Sequence, residues 1–193
     1  MSAELWRPSL DLALHRNREH PDARLVQLAT IGPDGRPAAR TVVFRRFLDD
    51  PRALAFATDA RDAKRAQLEA DPRAEICWYF PITREQFRIA GLVALVGPDA
   101  ADPALRRVRD EVWTALTDEA RTRFAWPTPG EPRDPAACFP DAAPDRSTPL
   151  GNFLLMTLSA VAVDHLALEG DPRRRWIHEI DAQGRWTGRE VNP

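Results

Sequence analysis

Arg40-Thr41-Val42-Val43-Phe44-Arg45 holds an apolar middle between two arginines and reads as a β-strand. In a strand, Arg40, Val42 and Phe44 share one face while Thr41, Val43 and Arg45 share the other. A charge beside a packed face must reach water or meet an anion, because burying it unpaired is costly. Taken alone, both arginines read as solvated strand ends. Just upstream, Leu25 to Ile31 is rich in apolar residues and runs into Gly32-Pro33-Asp34-Gly35. That cluster is a strong turn signal, so the two segments form a β-hairpin.

The same pattern of short strands and tight turns continues along the chain. Ala53 to Thr58 reads as a third strand, Glu75 to Phe80 as a fourth and Gln86 to Val96 as a fifth. Gly91 inside the fifth marks a bulge or a close backbone approach. Between the third and fourth strands, Asp62 to Ala70 has helical spacing, with Ala63, Ala66 and Leu68 apolar and Asp71-Pro72 closing it. Phe153 to Leu168 resumes as strand, and Trp176 to Ile180 with Gly184-Arg185-Trp186 makes a last hairpin. Strands joined by tight turns, with only one short helix among them, predict a small antiparallel barrel rather than a parallel α/β sheet.

Helices are expected at the periphery. Pro8 to Asn17 carries Leu10, Ala13 and Leu14 on one face and tolerates Pro8 in its first turn. Asp102 to Leu116 has an apolar stripe of Leu105, Val108, Val112 and Ala115, with arginines and acids opposite. Thr117-Asp118 caps a further short helix to Phe124. The proline-rich stretch from Trp126 to Pro149 is longer than a simple connector. It reads either as a lid or wrap onto a partner, or as disordered chain.

The chain has 193 residues, with 27 basic and 29 acidic side chains and a formal net charge of -2. That length suits one domain over residues 1–193 with a sizeable core. Near-neutral charge gives no reason to expect nucleic acid or a membrane surface as partner. No long apolar run reads as a membrane span, and Met1 to Pro8 lacks the pattern of a signal peptide. The expectation is a cytoplasmic protein. Cys77 and Cys138 make neither a disulfide framework nor a zinc pattern, and Cys77 reads as an inert core thiol. His15, His20, His165 and His178 are scattered without metal-ligand spacing, so no metal is expected. Gly-rich phosphate loops and a nucleophile elbow are missing from the sequence. Most of the six tryptophans read as structural.

Cations and one amide remain. Lys64 begins a helix just after a strand, and a phosphate suits such cations together with a helix N-terminus. Gln86 offers a donor and an acceptor on one side chain, which suits the edge of a heteroaromatic ring.

In order and spacing these residues resemble the flavin-binding split barrels of the pyridoxamine 5'-phosphate oxidase superfamily, in particular its branch of uncharacterised flavin-binding homologues. The resemblance rests on Arg40 to Arg45, on Phe56-Ala57-Thr58-Asp59 with Lys64, and on Pro72-Arg73-Ala74-Glu75 leading to Trp78-Tyr79-Phe80. It continues through Arg84-Glu85-Gln86-Phe87-Arg88-Ile89-Ala90-Gly91 and ends in Trp186-Thr187-Gly188-Arg189-Glu190-Val191-Asn192-Pro193. It implies a mainly β fold with peripheral helices, an antiparallel split β-barrel, and FMN as cofactor. Arg40, Thr41, Val42, Val43, Phe44 and Arg45 would line the ribityl phosphate and ring edge. Thr58 and Lys64 would hold the phosphate, and Gln86 would bond the ring. The resemblance also implies a homodimer with FMN at the subunit interface and a small-molecule substrate.

Departures from the family pattern are specific. Asp62-Ala63-Lys64 stands where the oxidases have Ser-Arg-Lys, which removes an arginine that Arg61 would have to replace. Leu168 stands at a flavin-contacting tryptophan, and Arg45 at a lysine. The late Arg-x-His substrate motif falls near Arg173 to His178, where Arg175 would reach flavin and Arg174 and His178 would reach substrate. The implied activity is an FMN-dependent, oxidase-like oxidoreductase with no catalytic protein side chain assigned. The alternative is a flavin-, deazaflavin- or heme-binding carrier or sensor without turnover.

Overall fold

The computed structural model describes residues 6–193, so Met1 to Leu5 of the Met1 to Pro8 leader reading lie outside the described residues. Eight strands form one antiparallel sheet: β1 (Leu25–Ile31), β2 (Pro37–Phe47), β3 (Ala53–Asp59), β4 (Arg73–Phe80), β5 (Glu85–Val96), β6 (Phe153–Ala167), β7 (Arg174–Ile180) and β8 (Trp186–Val191). Their order is β3-β2-β1-β4-β5-β6-β7-β8, and β3 also pairs with β6. That extra pairing closes the first six strands into a barrel and leaves β7 and β8 as a ribbon outside the ring. Closure removes the exposed edges that an open sheet would present.

The length of β6 makes the split possible. Its first half, Phe153 to Ser159, pairs with β3, and its second half, Ala162 to Ala167, pairs with β7. The β5–β6 register shifts between Ala90 and Gly91. A Cβ at Gly91 would lie 2.3 Å from the Ser159 carbonyl oxygen, so only glycine fits this close approach. Alternation along the strands fills the barrel. Val26, Leu28, Phe44, Phe56, Ile76, Trp78, Phe80, Phe87 and Ile89 are buried in its core.

Four α-helices flank the barrel: α1 (Arg7–Arg16), α2 (Ala63–Ala70), α3 (Pro103–Ala115) and α4 (Asp118–Thr122), the last running into a 3₁₀ turn at Arg123–Ala125. Asp62, Asp102 and Thr117 cap α2, α3 and α4 by accepting backbone N–H bonds. A second apolar cluster joins α3 to the barrel wall through Val112, Trp113, Leu116, Phe153 and Leu155. The expected stripe on α3 needs correcting: Ala115 is exposed, whereas Arg109 is buried. Arg109 is satisfied there because Nε and Nη2 donate to the carbonyls of Phe153 and Leu150.

The proline-rich stretch follows a definite path back over α3 rather than projecting as a free arm. Trp113 Nε1 donates to the Asp145 carbonyl, Arg146 Nε donates to the Thr114 carbonyl, and Trp126 Nε1 donates to the Pro140 carbonyl. It is a strap onto its own chain.

Candidate functional site

The β2 strand carries most of the predicted site, and a bulge decides where its last arginine goes. Phe44 pairs with Phe56 and Arg46 with Ala55, so Arg45 is the extra residue between them. A bulge re-aims a side chain that simple alternation would place on the opposite face. Arg45 is half-buried, makes no ion pair among the described residues, and has a buried Nε with no hydrogen-bond partner. Burial first, and neighbouring Arg24 second, hold its guanidinium below its ordinary pKa.

Arg45 lines a hollow of about 250 Å³ together with Thr58, Asp59 and Lys64 from the barrel side and Arg123, Phe124 and Pro129 from the strap side. Thr58 is only 3% exposed, and its Oγ1 also has no partner among the described residues. Lys64 Nζ sits 2.5 Å from Asp62 Oδ2, on the helix start that Asp62 caps. Three of the predicted residues therefore converge on one cationic pocket holding two orphaned donors. Orphaned buried polar groups are rare in native folds and point to a partner of suitable chemistry. A phosphate fits that donor set, since it accepts from guanidinium, ammonium, hydroxyl and helix N-terminal N–H groups.

Behind the pocket, Asp59 organises the wall. Arg61 grips its carboxylate through Nε at 3.0 Å and Nη2 at 2.7 Å, and Asn152 Nδ2 donates to it at 2.8 Å. Burial opposes the charge on Asp59, but these hydrogen bonds outweigh it and hold the carboxyl below its ordinary pKa. Arg61 also donates to the carbonyls of Trp126 and Phe124, and Asn152 donates to the latter. Arg61 is thus committed to tying the strap down, which corrects the expectation that it replaces a missing phosphate-binding arginine.

Other predicted residues lie elsewhere. Arg40 turns to α2: it donates to Thr30 Oγ1, the Ala38 carbonyl and Gln67 Oε1, at 2.5, 3.0 and 2.7 Å. Thr41 is exposed, while Val42 and Phe44 are buried in the barrel core and Val43 is half-buried. Gln86 pairs across the sheet with Tyr79 and Leu166, and Leu166 pairs with Arg175. These four form a row on the face opposite the core, outside the Arg45 pocket. Arg175 is bidentate with Asp164, and Arg174 is bidentate with Glu190 and stacks over Trp176. His178 is 7% exposed, with Nδ1 unpartnered among the described residues. Cys77 is a correction as well: it is half-buried on the outer face, beside Glu75 and Arg88, and not in the core.

Asp59, Asn152 and Arg123 escaped the sequence reading because their roles depend on segments far apart in the chain. The one local signal was Phe124-Ala125-Trp126-Pro127, aromatic residues ending a helix just before a proline-rich strap.

A closed six-stranded antiparallel barrel with an outer ribbon is the architecture of the FMN-binding split barrels. Residues 3–97 match the family described as "Pyridoxamine 5'-phosphate oxidase, FMN-binding domain". Pyridoxine/pyridoxamine 5'-phosphate oxidase 2 of Arabidopsis thaliana is 34% identical over 191 residues, covering 97% of this chain and 96% of the relative. The chain aligns over half or less of the length of several bacterial oxidases that it also matches. The crystal structure of a pyridoxamine 5'-phosphate oxidase-related, FMN-binding protein from Nostoc punctiforme PCC 73102 superposes with a TM-score of 0.94 at 47% identity, covering all of both chains. PhzG from Burkholderia lata 383, solved with tetrahydrophenazine-1-carboxylic acid, has a TM-score of 0.71 at 21% identity over 97% of this chain and 89% of its own, a likeness of fold. The chain belongs to the pyridoxamine 5'-phosphate oxidase family and carries its FMN-binding domain. Among the described residues, no helix is long and apolar enough to cross a membrane.

Proposed function

We propose that the chain is an FMN-dependent oxidoreductase of the pyridoxamine 5'-phosphate oxidase type, working on a small phosphorylated amine or alcohol such as pyridoxamine or pyridoxine 5'-phosphate. The observation that carries this reading is the pocket in which Arg45, Thr58 and Lys64 meet with two buried donors unpartnered. Those three residues would hold the phosphate, with the β2 segment from Arg40 to Arg45 beside the ribityl chain and ring. Bound FMN would supply hydride transfer, while the protein supplies binding, orientation and exclusion of water.

A pocket of about 250 Å³ falls below the roughly 300–1,000 Å³ of pockets that enclose whole small ligands. It suits the phosphate end and leaves the ring to another surface. A homodimer meets that need, with Gln86 and Arg175, and Arg174 and His178 for substrate, contributed across an interface. The exposed apolar side chains Tyr79, Leu92 and Val161 on β4, β5 and β6 favour such an interface. We read residues 1–193 as one FMN-binding domain, in the reducing cytoplasm that two free cysteines suit.

The test is a yellow protein with twin flavin peaks, a mass in light scattering of two chains, and bleaching of the flavin by pyridoxamine 5'-phosphate under anaerobic conditions. A flavin that stays oxidised at saturating substrate turns the reading toward a carrier. A Soret band, or a colourless protein that ignores FMN, overturns it.

A further inference from the structure

The donors of this pocket fall into two halves, one without a partner and one already taken by the chain itself. Arg45 Nε and Thr58 Oγ1 are buried and unpartnered among the described residues. The other donors belong to Lys64, and Asp62 holds both of them. Asp62 Oδ1 accepts from the Lys64 backbone N–H at 2.9 Å, and Asp62 Oδ2 sits 2.5 Å from Lys64 Nζ. One carboxylate therefore sets its two oxygens on the helix N-terminus and on the ammonium, the same groups that would serve two oxygens of a phosphate. Asp62 also has a way out to water, since its side chain is 31% exposed against 11% for Lys64.

We propose that Asp62 is a built-in competitor for the cofactor phosphate, a carboxylate that sits on two of the phosphate's donors and must leave them when FMN binds. The inference rests on the FMN reading of this pocket. A phosphate monoester carries a charge of about -1.5 to -2 near neutral pH, so it repels a carboxylate fixed beside it. Lys64 is the one ion-pair partner of Asp62 among the described residues, and it cannot serve both anions. Arg40, earlier on β2, directs its guanidinium to Thr30, Ala38 and Gln67 instead. Asp59 does not compete in this way, because Arg61 and Asn152 hold its carboxylate within the wall. On binding, Asp62 turns toward water, and the Lys64 ammonium and the α2 N–H pass to the phosphate. The interactions given up subtract from the affinity for FMN and leave a flavin without phosphate unaffected.

Asn and Ser cap a helix about as well as Asp, so Asp62→Asn and Asp62→Ser remove the charge and keep the helix start. Riboflavin lacks the phosphate and reads the rest of the pocket. Titration of flavin-free protein, followed by quenching of flavin fluorescence, gives both affinities. In either variant FMN affinity is expected to rise about tenfold, the lower end for a charged hydrogen bond passed to the phosphate, with riboflavin affinity unchanged. Glu69→Gln removes an acid from the far end of the same helix, where Glu69 pairs with Arg65, and should leave both affinities as they are. FMN bound no more tightly by the Asp62 variants than by wild type overturns the inference and leaves the FMN reading standing. Weaker binding does the same, because Asp62 then orients Lys64 for the phosphate. An equal gain for riboflavin, or an equal gain from Glu69→Gln, also overturns it, since the carboxylate then acts on the whole pocket or through net charge alone. Failure of wild type and of both variants to bind FMN overturns the FMN reading and this inference together.

Discussion

The arginines of β7 and the arginine at the β2 bulge have different partners. On β7, Arg174 and Arg175 each hold a carboxylate with two hydrogen bonds, to Glu190 and Asp164. At the bulge on β2, Arg45 makes no ion pair among the described residues and keeps a buried Nε unpartnered beside the orphaned hydroxyl of Thr58. A satisfied cation contributes to the fold that is already present. A desolvated cation without a counter-charge is costly unless an anion arrives. Residue type alone would have given both groups the same role.

The strongest test of the contrast removes the wall that shapes the unpaired pocket. Phe153 is fully buried between Trp113 and Phe124, and Phe153→Ala should cost about 3–5 kcal/mol in urea unfolding. A loss under 1 kcal/mol would mean that the aromatic cluster does not hold the strap. Arg45→Ala should weaken FMN binding by about 1.5–3 kcal/mol, the worth of a charged hydrogen bond. Arg175→Ala should weaken it less, because Asp164 must first give the guanidinium up. If the two losses match, ion pairing does not distinguish structural from ligand cations here. Thr58→Val sharpens the point further. It removes a buried hydroxyl that has no partner among the described residues, so folding stability should hold or rise by up to about 1 kcal/mol while FMN affinity falls by a similar amount.

The smallest expected effect concerns His178. Burial, and then the nearby charge of His165, hold its pKa below the ordinary 6.5. The folded state therefore favours the neutral ring. Its stabilising contribution is complete above about 6.5 and is lost as pH falls through the lower folded value. Thermal melts from about pH 8 to 5 should show wild type losing more stability on acidification than His178→Gln. Parallel curves would place His178 in contact with water.

Much of the strand plan was legible from local signals. The Gly32 to Gly35 turn marked the β1–β2 hairpin, and Gly91 announced a bulge or close approach that the register shift and the Ser159 carbonyl both show. Asp62 and Asp102 stood at the start of two expected helices and Thr117 read as the cap of a third, and all three accept backbone N–H bonds as caps. The misreadings share a cause. Arg109 looked like a polar-face residue on α3, yet two backbone carbonyls 41 and 44 residues away in sequence make its burial tolerable. Arg61 looked like a spare phosphate ligand until the carbonyls of Phe124 and Trp126 claimed it.

The sequence by itself determined the antiparallel barrel, the order of its strands along the chain, and Arg40, Arg45 and Lys64 as candidate anion ligands. Those features depend on period-2 alternation, turn residues and side-chain chemistry, which are local. Only the tertiary structure decided that the bulge turns Arg45 into the pocket, that Arg40 turns to α2 instead, and that Arg123 comes to the pocket's rim. Each of these depends on which donors and acceptors the closed barrel brings within reach, and the 15-residue β6 strand that closes it makes its pairings with segments distant in sequence.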